Sequence, residues 1–149
     1  MSSTTTTLSK NKFWLFLSVL AVLAIILCGV VTSKYGAGIS SDSTKYLSVA
    51  QNLLEGNGLV DHKGAPLLSW PPLYSMILAR LSLLTGLDVF VAGWYFNVFV
   101  FGLNVFLSGV ILYRAFSEKP LYAYLASLFV FLSLSSLRIH SDISSDPFY

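Results

Sequence analysis

The sequence predicts an all-α, polytopic transmembrane protein, and three observations carry that expectation. The 149 residues are 55% hydrophobic and only 11% charged, whereas roughly a quarter of the residues of soluble domains are charged. Mean hydropathy is +0.73. Uncharged apolar runs recur at lengths suited to a bilayer, and the polar stretch after the first run carries helical periodicity. The same composition argues against other classes. The nine basic residues are scattered and form no basic run, so no nucleic-acid partner is expected. The single cysteine, Cys28, lies inside the first apolar run, where it can neither pair within the chain nor complete a thiolate metal site. Leu27 before it is too large for a lipobox.

The elements follow in order. Residues 1–12, with threonines at positions 4–7, have too little apolar content to fold and are expected to be a disordered tail. Residues 13–32 form a run of about 20 uncharged positions, enough to cross a hydrocarbon core of roughly 30 Å as a helix. Lys10 and Lys12 before it would also suit a signal peptide, but the apolar region exceeds the usual 7–15 residues and no small-x-small cleavage site follows. Residues 33–71 turn polar, punctuated by Gly36, Gly38, Gly56, Gly58, Gly64 and Pro66, as expected of a large extramembrane loop. Within it, Tyr46, Val49, Ala50, Leu53 and Leu54 recur at helical spacing, predicting an amphipathic helix over 43–55 that Gly56 closes.

Residues 72–87 are apolar except for Arg80. At about 16 residues the segment reaches only ~24 Å as a helix, short of a crossing. With Pro72 suited to its first turn and Gly86 to its end, it reads as a re-entrant or interfacial helix. Spans are expected over 89–113 and 121–137. Lys10 and Lys12 in the tail, and Arg114 and Lys119 between the last two spans, then share the cytoplasmic side. The loop carrying Asp42 and the stretch from Arg138 onward share the outer face, in a multi-pass protein of the cell membrane. The closing Asp146-Pro147-Phe148-Tyr149 looks like the start of another apolar segment, as expected of the N-terminal part of a larger polytopic protein.

The run Asp42-Ser43-Thr44-Lys45-Tyr46, followed by Ala50, Leu53-Leu54 and Gly56, resembles the first outer loop of GT-C membrane glycosyltransferases of the aminoarabinose-transferase and protein-mannosyltransferase type. Their loop reads roughly Asp-Glu-x-x-Tyr, an alanine, a leucine pair and a glycine, then a Pro-Pro-Leu. Pro71-Pro72-Leu73-Tyr74 fills that last role, and Ser145-Asp146-Pro147-Phe148-Tyr149 is similar to a turn in the family's second outer loop. The resemblance covers most of residues 13–149. It implies transfer of a sugar from a polyprenyl-phosphate donor to a lipid, glycan or protein acceptor on the outer face, with membrane lipid as the setting. It also implies that Asp42 is the active-site acid, acting as general base or holding a divalent cation. Lys45 and Arg138 would meet phosphate, and Asp146 would belong to the substrate site. Two positions depart from the pattern: Ser43 replaces a second acidic residue, and Ser69-Trp70 stands where a Glu-Lys pair precedes the prolines.

Each of these residues also has an ordinary reading. Asp42 and its serine neighbours suit a helix N-cap. Trp70 is the one aromatic placed as a sugar platform; Trp94, Tyr95 and Tyr113 fit packing or interface anchoring. Arg80 either snorkels to the headgroups or contacts a lipid phosphate. His62 reads as a turn residue. His140 with Asp142 and Asp146 could supply metal ligands or simply form a polar loop. Asn97, Asn104 and Ser108 fall on one side of their span and are expected to find hydrogen-bond partners on neighbouring helices. The rival to an enzyme is a non-catalytic membrane subunit or transporter fragment, whose outer loop docks a partner and whose Asp42 only caps.

Overall fold

The computed structural model describes residues 3–66, 71–116 and 120–143. Among them every regular element is a helix: α1 (Ser3–Tyr35), α2 (Ser41–Leu54), α3 (Leu73–Thr85), α4 (Val89–Ala115), α5 (Pro120–Phe131) and α6 (Leu134–Ser141). Within these, Asn11–Lys34 and Val89–Ala115 are long and apolar enough to cross a membrane, and Leu121–Phe131 with Leu134–Ser141 makes a third if that bent pair is one span.

The frame is an antiparallel pairing of α1 with α4. Phe13, Leu17, Leu20, Ala24, Cys28 and Thr32 of α1 are buried at three- and four-residue spacing, while Leu15, Val19, Val22, Ile26 and Val30 face outward. This is the one-sided burial expected of a helix whose protein neighbours all lie on one side. Contacts step along the pair in opposite senses. Phe13 stacks on Tyr113, Leu17 meets Gly109, Ile25 meets Gly102, and Thr32 accepts a hydrogen bond from the Trp94 indole at 2.6 Å. A Cβ at Gly102 would lie 2.9 Å from the Ala21 carbonyl oxygen and 2.5 Å from Ile25 Cγ1, so the missing side chain is what lets the backbones approach.

Three packed layers stack along this frame. At one end Phe13, Leu17 and Ala123 pack with Trp14, Phe106, Tyr113 and Tyr124. In the middle lie Leu20, Ala24, Cys28, Val98, Phe101 and Val105. At the other end Tyr46, Ala50, Tyr74, Leu78, Val89 and Ile143 gather α2, α3, the start of α4 and the residues after α6. Thus α2 and α3 cap the end at which α1 finishes and α4 begins.

α3 does not run the length of the bundle. It turns back along the first turns of α4, with Tyr74 bonded to Asn97, Leu78 against Gly93, and the Ser82 hydroxyl donating to the Leu87 carbonyl. Gly86 ends it in the left-handed conformation (φ 70°), its N–H donating to the Ser82 carbonyl, which glycine adopts without steric cost.

Three expectations are corrected. The predicted tail is helical from Ser3, since extending an existing helix costs far less than starting one. α2 begins at Ser41, not 43, with Ser40 as its cap. The single span over 121–137 is broken: α5 ends at Phe131, Ser133 accepts from the Ser136 N–H to start α6, and the two halves meet at 45°. A side-chain cap in mid-run restarts the helix without glycine or proline.

Candidate functional site

Ser40 and Ser43 decide where α2 starts. The Ser43 N–H donates to Ser40 Oγ at 3.2 Å and the Ser40 N–H donates to Ser43 Oγ at 2.8 Å, a reciprocal box that satisfies two otherwise free donors. Ser43 is fully buried, so it is structural at the position where the resembled pattern has an acid. Asp42 is therefore not the N-cap. It sits inside the first turn, half-exposed, with Ser41 Oγ 3.3 Å from Oδ1. There its negative charge meets the positive end of the helix dipole, and the carboxylate is left for other partners. Lys45 follows on the same helix, half-buried. Tyr46 and Val49, on the same side of α2 as Asp42 at 100° per residue, anchor the helix in the core, and the Tyr46 carbonyl accepts from Ser75 of α3 at 3.0 Å.

The chain leading into α2 is tied to the end of α6. The Gly38 N–H donates to the Ser141 carbonyl at 2.9 Å and the Ile143 N–H donates to the Gly38 carbonyl at 3.0 Å, forming a short parallel bridge between Gly38 and Asp142. The Asp142 carboxylate lies over Gly38, in the space a Cβ would need. Asn97 donates to the Asp142 carbonyl at 2.5 Å and accepts from the Tyr74 hydroxyl at 3.1 Å. One asparagine thereby locks α3, α4 and the α6 end together. Burial pushes the Tyr74 phenol well above its ordinary range.

This junction fastens the chain just before α2 to Asp142, an acid that sequence reasoning had not placed in the substrate site; Arg138 is exposed one turn back along α6. The bridge joins residues too far apart in the chain for any local pattern to reveal. Arg80 is not part of the junction: α3 buries Tyr74, Ser75, Leu78, Ala79 and Ser82, and at 100° per residue Arg80 stands on the opposite side. Trp70 and Asp146 lie outside the described residues, so the sugar-platform and second-loop expectations are not placed.

Beneath the junction, His140 is buried. Its Nδ1 is 2.7 Å from the Ser136 carbonyl, which can only accept, so Nδ1 bears the proton and Nε2 accepts from Asn104 at 2.9 Å. Both ring nitrogens are engaged inside the bundle, and among the described residues no three His, Cys, Asp or Glu side chains gather to hold a metal ion. Asn97 and Asn104 thus find the interhelical partners expected of them. His62 is exposed in a turn beside Asp61, whose carboxyl is held below its usual range by the Ala65 and Lys63 N–H groups.

Two apolar grooves lie away from Asp42. One, of about 310 Å³, runs between α3 and α4 past Leu81, Thr85, Tyr95, Phe96 and Phe99. The other, of about 370 Å³, is lined by Leu73, Met76, Ile77, Arg80 and Leu81.

The chain matches no protein-family model, and no curated protein or solved structure shows significant similarity to it. Its functional reading therefore rests on its own residues.

Proposed function

We propose that the chain is the N-terminal part of a GT-C-type membrane glycosyltransferase, taking a sugar from a polyprenyl-phosphate donor to an acceptor on the outer face of the cell membrane. The observation that carries this reading is the position of Asp42. It is a half-exposed carboxylate in the first turn of a short helix on the end of an apolar bundle, and the chain just before that helix is tied through Gly38 to the segment that follows α6. The sequence resemblance asks for this pairing of a first-loop acid with a later outer loop. The clustering of Phe13, Tyr113 and Tyr124 supports the topology, because it puts Lys12 and Arg114 at the opposite end, in keeping with a cytoplasmic N-terminus and multiple crossings.

In the proposed reaction Asp42 accepts the proton of the acceptor hydroxyl or amine. The new bond forms at the anomeric carbon as its bond to the phosphate oxygen breaks, and the electron pair leaves with the lipid phosphate. Lys45 and Arg138 stabilise that developing charge. Trp70 and Asp146 complete the substrate site in this reading. A divalent cation, if the enzyme uses one, would draw on Asp42 and the donor phosphate.

One observation favours the rival, a non-catalytic subunit or transporter fragment that docks a partner: neither apolar groove is lined by Asp42. The two part on Asp42→Asn in the full-length protein, reconstituted in proteoliposomes with polyprenyl-phosphate-linked pentoses and hexoses. Transfer falls at least ~100-fold, the scale of a lost general base, while thermal stability stays within roughly 0.5 kcal/mol. Unchanged turnover would remove Asp42 from the mechanism.

A further inference from the structure

The outward side of α3 combines features that a water-facing or core-facing helix would not. Leu73, Met76, Leu83 and Leu84 are 61%, 51%, 74% and 72% exposed, and on a helical projection they flank Arg80, which is exposed at the centre of the stripe. Arg80 has no acidic partner among the described residues. Arg80 lines one groove with Leu73, Met76, Ile77 and Leu81, and Leu81 also lines the second, which passes Tyr95 and Phe99.

The depth of Arg80 follows from the pairing of the helices. Trp94 is level with Thr32, the last residue of the apolar run over 13–32. Leu78 contacts Gly93, and α3 runs outward from there. Arg80 thus sits near the outer end of the apolar band, close enough for its long side chain to reach the level where a bilayer places its phosphates. A planar guanidinium at that depth offers paired donors to a phosphate, and the apolar grooves lined by Leu81 suit an acyl chain.

We propose that α3 carries a binding site for an anionic glycerophospholipid of the surrounding bilayer, its phosphate held by Arg80 and an acyl chain lying along Leu81, Tyr95 and Phe99. The site is separate from the proposed transfer reaction: it is read by lipid retention, not turnover, so either can fail without the other.

Full-length protein is purified with an equimolar mixture of phosphatidylglycerol and phosphatidylcholine, and bound lipid is counted by native mass spectrometry. The expected result is about a fivefold preference for phosphatidylglycerol, the scale of one cation at a membrane surface. That preference is lost in Arg80→Gln and kept in Arg80→Lys. No preference in the unmodified protein, or an equal one in Arg80→Gln, overturns the proposal. A second measurement does not depend on the folding of the Arg80 variants: nitroxides at positions 76 and 84, in a Cys28→Ala background, report contact with lipid-dissolved oxygen. Shielding of both would show that another protein segment covers α3 and would equally overturn it.

Discussion

At the end of the bundle where α1 begins, Phe13 lies 4.4 Å from the Tyr113 ring and 4.9 Å from that of Tyr124, and the contacts are aromatic and apolar. At the end where α1 finishes, the packing is threaded by directional bonds. Tyr74 to Asn97, Asn97 to the Asp142 carbonyl, Ser75 to the Tyr46 carbonyl and the Gly38 bridge fix the cap of α2 and α3 in one register. The difference teaches where geometry is specified. Ring contacts tolerate sliding, whereas a hydrogen bond between buried polar groups is lost by a shift of about an ångström. The end that carries Asp42 is the one built from such bonds.

The comparison breaks most completely if the frame common to both ends is forced apart. Gly102→Val places a side chain against the Ala21 carbonyl, backbone that cannot rotate aside, and is expected to cost about 3 kcal/mol. Thermal unfolding in detergent followed by circular dichroism, with size-exclusion chromatography for monodispersity, measures it. A stability within 1 kcal/mol of the parent would show that α1 and α4 are not held this closely.

How much of this was legible beforehand depended on the range of the signal. The apolar run of α1 and the shortness of α3, with Gly86 at its end, were readable because they are local and compositional. Asn97 and Asn104 could be singled out because polar side chains in an apolar span need partners, but which partners was not readable. The start of α2 was misplaced because Ser40, Ser41, Asp42 and Ser43 are all good capping residues; the reciprocal Ser40–Ser43 bonds decide among them. The break after Phe131 was hidden because Ser133 does the work usually marked by glycine or proline. The junction of Gly38 with Asp142 is a product of tertiary packing, and with it went the placement of Asp142 near the candidate site.

Asn97→Leu sharpens the contrast from the polar end. It removes the acceptor of Tyr74 and the donor to the Asp142 carbonyl while keeping the volume, at an expected cost of about 1–2 kcal/mol. Hydrogen exchange should quicken over residues 36–66 and 139–143 and stay unchanged around Phe13 and Tyr113. A uniform rise along α1 and α4 would mean that the cap is no separate unit. Phe13→Leu is the converse. Loss of the ring pairs costs roughly 1 kcal/mol, and exchange in the α2 loop is unaffected. If the α2 loop loosened instead, the two ends would be coupled and the comparison would fail.

The smallest expected effect is a pH dependence that only the polar end carries. Tyr74 is 2% exposed, and its burial favours the neutral phenol over the phenolate, so its folded pKa lies above the unfolded value of about 10. A group raised in this way contributes its full stability below pH 10 and loses it as pH climbs toward the folded value, because only the unfolded chain can then shed the proton. By linkage the loss at pH 10.5 is roughly 0.8 kcal/mol. Tyr74→Phe lacks the phenol and gives up its bond to Asn97 at every pH, so it starts lower at pH 8 and declines less between pH 8 and 10.5. Unfolding curves of the two proteins at both pH values measure the difference directly. Parallel declines would place the Tyr74 hydroxyl in water and take the first link out of the chain that runs through Asn97 to Asp142.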